Sequence, residues 1–330
     1  MKRRTLTLLV LAPLLGEVLP GSTPPLALLV NPIALVYNLA LYGAGALVVR
    51  ELIRRRGLGW ANLLLLGAAY GVLEEGLVVT SWFNPLWPDT VFLGGRGSLL
   101  GINWIWALGL TLYHAVVSIA ASITVAEALF PEAAESPWLP RWGLLAAGGL
   151  LLAASLFGLL IFGFLLFKKL GYAHPPGTYV VALAAAGLLT WAGLRLRFRT
   201  LAPSPNPPPR LWTLRLLGLA AAVVWFWAEY VLPGWTRSGL PPLVALAGLA
   251  VLAWTLVRRW SARTGFGQPH RLALVSGVLA FFVLLEPVVE FGPPAAGKPT
   301  AGLVLVGLGL AALLVWLSRR ARPAAPAAAA

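Results

Sequence analysis

The chain contains no cysteine. That excludes disulfides, thiolate metal ligands and cysteine nucleophiles, and it leaves the redox compartment unmarked. Charge is sparse as well. Only 11% of the 330 residues are Asp, Glu, Lys or Arg, against about 25% in a soluble domain. So low a share excludes a water-soluble core of this length. Acids number 11 and histidines three. The sequence has no Gly-x-Ser-x-Gly elbow, no His-Glu-x-x-His and no phosphate loop, so the common serine-hydrolase, zincin and nucleotide-hydrolase signatures are absent.

What is present is apolar: 59% hydrophobic residues and a mean hydropathy of +0.83. Apolar segments run over 6–20, 26–49, 60–82, 102–130, 142–167, 177–194, 211–232, 239–257, 271–291 and 301–318. Several approach or exceed the roughly 20 residues that cross a bilayer. The expected fold is all-α, a polytopic transmembrane bundle of about ten helices. Lys2, Arg3 and Arg4 ahead of the apolar stretch 5–15 resemble the start of a signal peptide, but no small-x-small cleavage site follows, so a retained first helix is expected.

The net charge of +14 sits at segment ends rather than on a soluble domain, which points to lipid headgroups and not to nucleic acid. With the N-terminus inside and each segment crossing once, 20 of the 25 basic residues fall in the cytoplasm and only Arg96, Lys168, Lys169, Arg237 and Lys298 outside. The positive-inside rule predicts such a split, with both termini cytoplasmic. Trp60, Trp82, Trp104 and Trp106 mark segment ends as an aromatic belt does. Residues 1–195 read as one membrane bundle and 211–320 as a second. Between them, 196–210 is a cytoplasmic linker stiffened by Pro203, Pro205, Pro207, Pro208 and Pro209. The Ala/Pro tail 321–330 reads as disordered. No internal repeat supports an inverted-repeat transporter. The Ala, Leu, Pro and Arg bias is that of a GC-rich prokaryotic genome.

Six acids fall inside apolar segments: Glu17, Glu74, Glu75, Glu229, Glu286 and Glu290. Ionisable groups in hydrocarbon are costly and mark functional sites by default. At 1.5 Å per residue, Glu74 lies ~12 Å and His114 ~15 Å below the outer interface, so the two share a layer. An outward-facing polar pocket is expected from the third, fourth and ninth segments, with the first and seventh near it. Adjacent helical residues point about 100° apart, so at most one of Glu74 and Glu75 is expected to face the site. Glu286 and Glu290 share a helix face beside Pro287. Catalytic zinc takes three protein ligands. His114 and Glu75 supply two, and Glu286 or Glu290 is the expected third. The competing structural readings are a His114 bonded to Ser118 one turn on, a wet helix end at Glu286 and Glu290, and solvated Glu17 and Glu229 beside Pro-Gly breaks. His174 and His270 lie in loops on opposite sides and are assigned no role.

At Glu74-Glu75 and His114 the chain resembles the CPBP intramembrane proteases, the CAAX-processing and bacteriocin-processing family. Its motifs are Glu-Glu-x-x-x-Arg, then Phe-x-x-x-His, then a later His-x-x-x-Asn/Asp. Here Val79 stands for the arginine, Leu110 for the phenylalanine, and neither His174 nor His270 opens a third motif. The resemblance covers residues 60–130. It implies an intramembrane metalloprotease, or a non-cleaving relative binding a membrane peptide or lipid, with Glu74, Glu75 and His114 as catalytic residues. Zinc or another divalent metal would then be the cofactor and the cell (inner) membrane the location. The alternatives are a proton-coupled transporter using the outer-leaflet carboxylates, and a non-catalytic scaffold.

Overall fold

The computed structural model describes residues 2–166, 169, 175–198, 201–293 and 300–320. His174 and the tail 321–330 lie outside the described residues. Among the described residues the chain is built almost wholly from helices. We label these α1 (Arg3–Pro13, continued by Leu14–Val18), α2 (Pro32–Arg56), α3 (Trp60–Val78), α4 (Trp104–Leu129) and α5 (Arg141–Leu166). After them come α6 (Pro176–Arg195), α7 (Leu211–Trp235), α8 (Leu240–Ser261), α9 (Gln268–Phe291) and α10 (Leu303–Arg320). The nine from α2 onward are long and apolar enough to span a bilayer; α1 is shorter.

The punctuation of these helices is local. Asn31 caps α2, its side chain accepting the Ile33 and Ala34 amides at 3.1 Å, with Pro32 at the first helical position. Asn103 caps α4 through the Trp106 amide. Gly57 ends α2 in the left-handed conformation, φ +59°, which a residue with a Cβ adopts at a cost. The loop between α3 and α4 holds two 3-10 turns and a two-residue hairpin, Ser98–Leu99 with Ile102–Asn103. Its Trp82, Phe83, Leu93 and Ile102 are buried against the bundle.

The centre of the bundle is α3 and α4, of which 67% and 78% are buried, against 17% for α6 and α8, which present their sides to lipid. The main hydrophobic core takes residues from Leu8 to Leu317, with two small satellite clusters, one around Val18, Leu28 and Leu303 and one around Leu214, Trp260 and Ala273. The proline-rich linker divides the chain but not that core. Ser204 in the linker pairs with the α8–α9 turn, its amide donating to Ala262 O at 2.9 Å and its carbonyl accepting from Thr264.

At the basic end of the bundle lies a feature that the sequence did not reveal. Arg50, Glu51 and Glu127 read as loop or helix-end charges, yet Arg50 and Glu51 are fully buried. Arg50 stacks on Trp138 at 3.5 Å and donates to the carbonyls of Ala133, Ala134 and Ser136. It also lies 3.0 Å from Glu127, which Arg54 grips with two nitrogens. The network staples the loop 130–140 to α2.

Six helices carry a π-helical turn: Leu14–Val18, Leu39–Gly43, Val72–Val78, His114–Ala121, Leu159–Leu166 and Trp227–Val231. Such turns are rare and cluster at functional sites.

Candidate functional site

Five of those six turns carry a polar or ionisable residue directed to one place in the bundle: the half-buried Glu17, and the buried Tyr42, Glu74 with Glu75, His114, and Glu229. The wider turn of α3 explains why both glutamates face inward. The angle between neighbours is smaller in a π turn than in an α-helix, so the expectation that only one of them reaches the centre fails.

The helices can approach this closely because of Gly67 and Gly71, four residues apart on α3. A Cβ on Gly71 would lie 2.9 Å from His114 Cβ, and one on Gly67 would lie 2.9 Å from the Ala115 backbone. Small residues at this spacing let membrane helices pack backbone to backbone. Here they press α4 onto α3 where its π turn begins.

His114 is 2% exposed and touches three side chains. Nδ1 is 2.9 Å from Ser118 Oγ, the structural partner expected one turn on. Nε2 is 3.3 Å from Glu75 Oε1. Glu74 Oε2 lies 2.9 Å from Nδ1, outside hydrogen-bond alignment. The remaining oxygens are held by hydroxyls. Ser81 donates to Glu75 Oε2 and itself accepts from the Trp106 indole at 2.9 Å. Tyr42 contacts Glu74 Oε1 and, at 2.7 Å, Glu17 Oε2. Thr23 donates to Glu17 Oε1. The contacts form one unbroken line: Thr23, Glu17, Tyr42, Glu74, His114, Glu75, Ser81, Trp106. Tyr113, whose ring meets His114 edge-on, ties the line to the carbonyls of Leu15 and Gly16 in α1.

Glu229 is fully buried, and neither carboxylate oxygen has a hydrogen-bond partner. It packs on Gly109, five residues before His114 on α4, and sits within electrostatic reach of Glu75 and His114. Glu229 is therefore not the solvated interface acid expected from its Pro-Gly neighbours, while Glu17, half-buried, joins the line through Tyr42. Among the described residues no lysine or arginine pairs with Glu17, Glu74, Glu75 or Glu229; the acids paired with arginine are Glu51, Glu127 and Glu135.

Glu286 and Glu290 do not reach this cluster. Glu290 accepts the Gly302 and Val304 amides at 2.9 and 2.6 Å and so caps α10. Glu286, 2% exposed, is pressed against Gly307 of α10. The face of α9 that carries both acids meets α10, not α4. The ligand atom expected from them is not near His114; beside it stands instead the second glutamate of the α3 pair. Glu74, Glu75 and His114 each offer a ligand atom, all within 4.8 Å of one another.

Residues 6–330 match a family described as an uncharacterized membrane protein family. The chain belongs to that family. It is a multi-pass membrane protein, as its helices require. No curated protein and no solved structure matches this member of the family.

Proposed function

We propose that the protein is a metal-dependent acid–base catalyst of the cell (inner) membrane. It acts on, or binds without cleaving, a membrane peptide or lipid through Glu74, Glu75 and His114. The observation that carries this reading is the charge balance of the site: three buried acids, Glu74, Glu75 and Glu229, and the half-buried Glu17 gather around one imidazole, and among the described residues none of them pairs with an arginine or lysine. Buried charge must be paired, neutralised or bound to metal. One imidazole and two carboxylates with converging atoms make the three protein ligands of a catalytic divalent site. The same three residues carry the resemblance to the CPBP proteases.

Bound there, a divalent cation would polarise a carbonyl and acidify a water. The chain's own groups do the rest. Ser118 fixes the imidazole, and Ser81 and Tyr42 fix the carboxylates, as outer-shell partners do. The carboxylate oxygen of the Glu74–Glu75 pair left off the cation would accept the proton of water. The hydroxyl then adds to the substrate carbonyl carbon, the bond to the leaving group breaks, and the leaving group takes the proton.

The test is metal content of detergent-solubilised protein, wild type beside His114→Ala and Glu74→Gln. The expected result is about one equivalent of zinc or another divalent ion per chain, lost in both variants. A well-folded wild type without metal rejects the reading.

One contact favours a second reading, a proton relay. The Tyr42 hydroxyl lies between two carboxyls and has one proton. Both contacts are hydrogen bonds only when Glu17 or Glu74 brings a proton of its own. On this reading, metal-free protein in liposomes carries protons down an imposed pH gradient, and Glu74→Gln abolishes the flux.

A further inference from the structure

At the cytoplasmic end of α3 is a cavity of about 40 Å³, outside the site just described. Three arginines, Arg50, Arg54 and Arg271, are among the residues that line it. Gly59 and Trp60, which open α3, complete it. The start of α3 has no side-chain cap, and a Cβ at Gly59 would meet nothing within 4 Å. The first amides of that helix therefore carry donors with no partner along the helix.

The charges around this cavity do not balance. Arg50, Arg54, Arg55 and Arg271 are linked through ion pairs to Glu51, Glu127 and Glu135, four cations to three anions. The surplus is localised. Arg50 and Arg54 are fully engaged by carboxylates and carbonyls. Arg271 has a single polar side-chain partner among the described residues, Glu135 at 3.6 Å, beyond hydrogen-bond length, and that glutamate is 70% exposed. A guanidinium with open donors beside an uncapped helix start is the chemistry that recognises a phosphate.

The source of the phosphate follows from position. Trp60 begins the apolar span, and the positive-inside charge bias puts this end of α3 in the cytoplasmic headgroup layer. Basic pockets between helices at that depth bind anionic headgroups. The floor is apolar, formed by Ile53 and Ile123, and the volume suits a phosphate group rather than a whole headgroup. We propose that this cavity binds the phosphate of an anionic phospholipid of the cytoplasmic leaflet, with Arg271 as the principal contact. The lipid would clip α9 to the α2–α3 turn.

Delipidated protein in detergent, titrated with phosphatidylglycerol, phosphatidylcholine or inorganic phosphate and followed by native mass spectrometry, tests this. Phosphatidylglycerol is expected to be retained in preference to phosphatidylcholine. Arg271→Gln is expected to weaken it about tenfold, the loss of one charge-assisted contact, while Arg210→Gln, an exposed arginine of the linker, leaves it unchanged. Arg271 is loosely held, and unchanged thermal midpoints check that both variants fold. Equal retention by wild type and Arg271→Gln, or no preference between the two lipids, overturns the proposal. Binding of inorganic phosphate without any preference for phosphatidylglycerol makes the ligand a soluble phosphate and overturns the lipid assignment.

Discussion

Two buried tyrosines beside His114 separate what a hydroxyl does in this site from what its ring does. Tyr42 and Tyr70 are equally buried, and both ring centroids lie 6.1 Å from His114. The Tyr42 hydroxyl holds Glu17 and Glu74, whereas the Tyr70 hydroxyl has no hydrogen-bond partner among the described residues. Removing a hydroxyl from a charged acceptor strands that acceptor in an apolar interior; removing a partnerless one relieves an unmet donor. Tyr42→Phe is therefore expected to destabilise by about 1–3 kcal/mol, and Tyr70→Phe to be neutral or stabilising. Thermal unfolding of the two variants in detergent measures the difference. Equal losses would mean that the line from Glu17 to Glu74 contributes nothing beyond ring packing.

At the scale of helices, Gly71 couples packing to the site. A methyl there meets His114 and the backbone of Thr111, and neither is a flexible tip that can swing away. Gly71→Ala is expected to cost about 1–3 kcal/mol as an overpacked contact and to lower metal content by parting α3 from α4. Gly187 on α6, where a Cβ meets nothing, is the control; there Ala should be neutral or gain about 0.5–1 kcal/mol in helix propensity. If both variants retain metal equally, the close approach at Gly71 does not set the site. The same helices show how far the sequence is legible. The order and approximate limits of α2 to α10 follow from hydropathy because lipid forces backbone groups to bond within each segment. Glu74 and His114 stand out because acids and histidines in hydrocarbon are rare. The π turns were not legible. The angle between Glu74 and Glu75 was reckoned on α-helical geometry, and nothing in Val72–Val78 announces the wider turn. Nor does the chain reveal which neighbour an acid meets: Glu290 and Glu229 read alike as acids near helix ends, yet one caps α10 and the other is buried beside the cluster. The spacing of Gly67 and Gly71 was in plain view and would have located the α3–α4 contact.

For the whole molecule, orientation decides what the site can serve. The basic residues collect at one end of the bundle, where Arg50, Arg54 and Arg55 staple the loop 130–140. The cluster around His114 lies toward the other. If the basic end is cytoplasmic, as the charge bias requires, the cluster draws its water and its substrate from the outer half of the bilayer. That fits poorly with processing of a cytoplasmic substrate and well with a peptide or lipid of the outer leaflet. The absence of cysteine makes this directly measurable, since a single introduced thiol is the only reactive one. Ser98 is exposed in the hairpin of the α3–α4 loop, and Ser261 is exposed at the end of α8, on the opposite side. Ser98→Cys is expected to react with a membrane-impermeant maleimide in cells with a permeable outer envelope and an intact inner membrane. Ser261→Cys should react only after that membrane is opened. The reverse pattern would invert the bundle, place Glu74, Glu75 and His114 in the cytoplasmic half, and make a cytoplasmic substrate the one to seek.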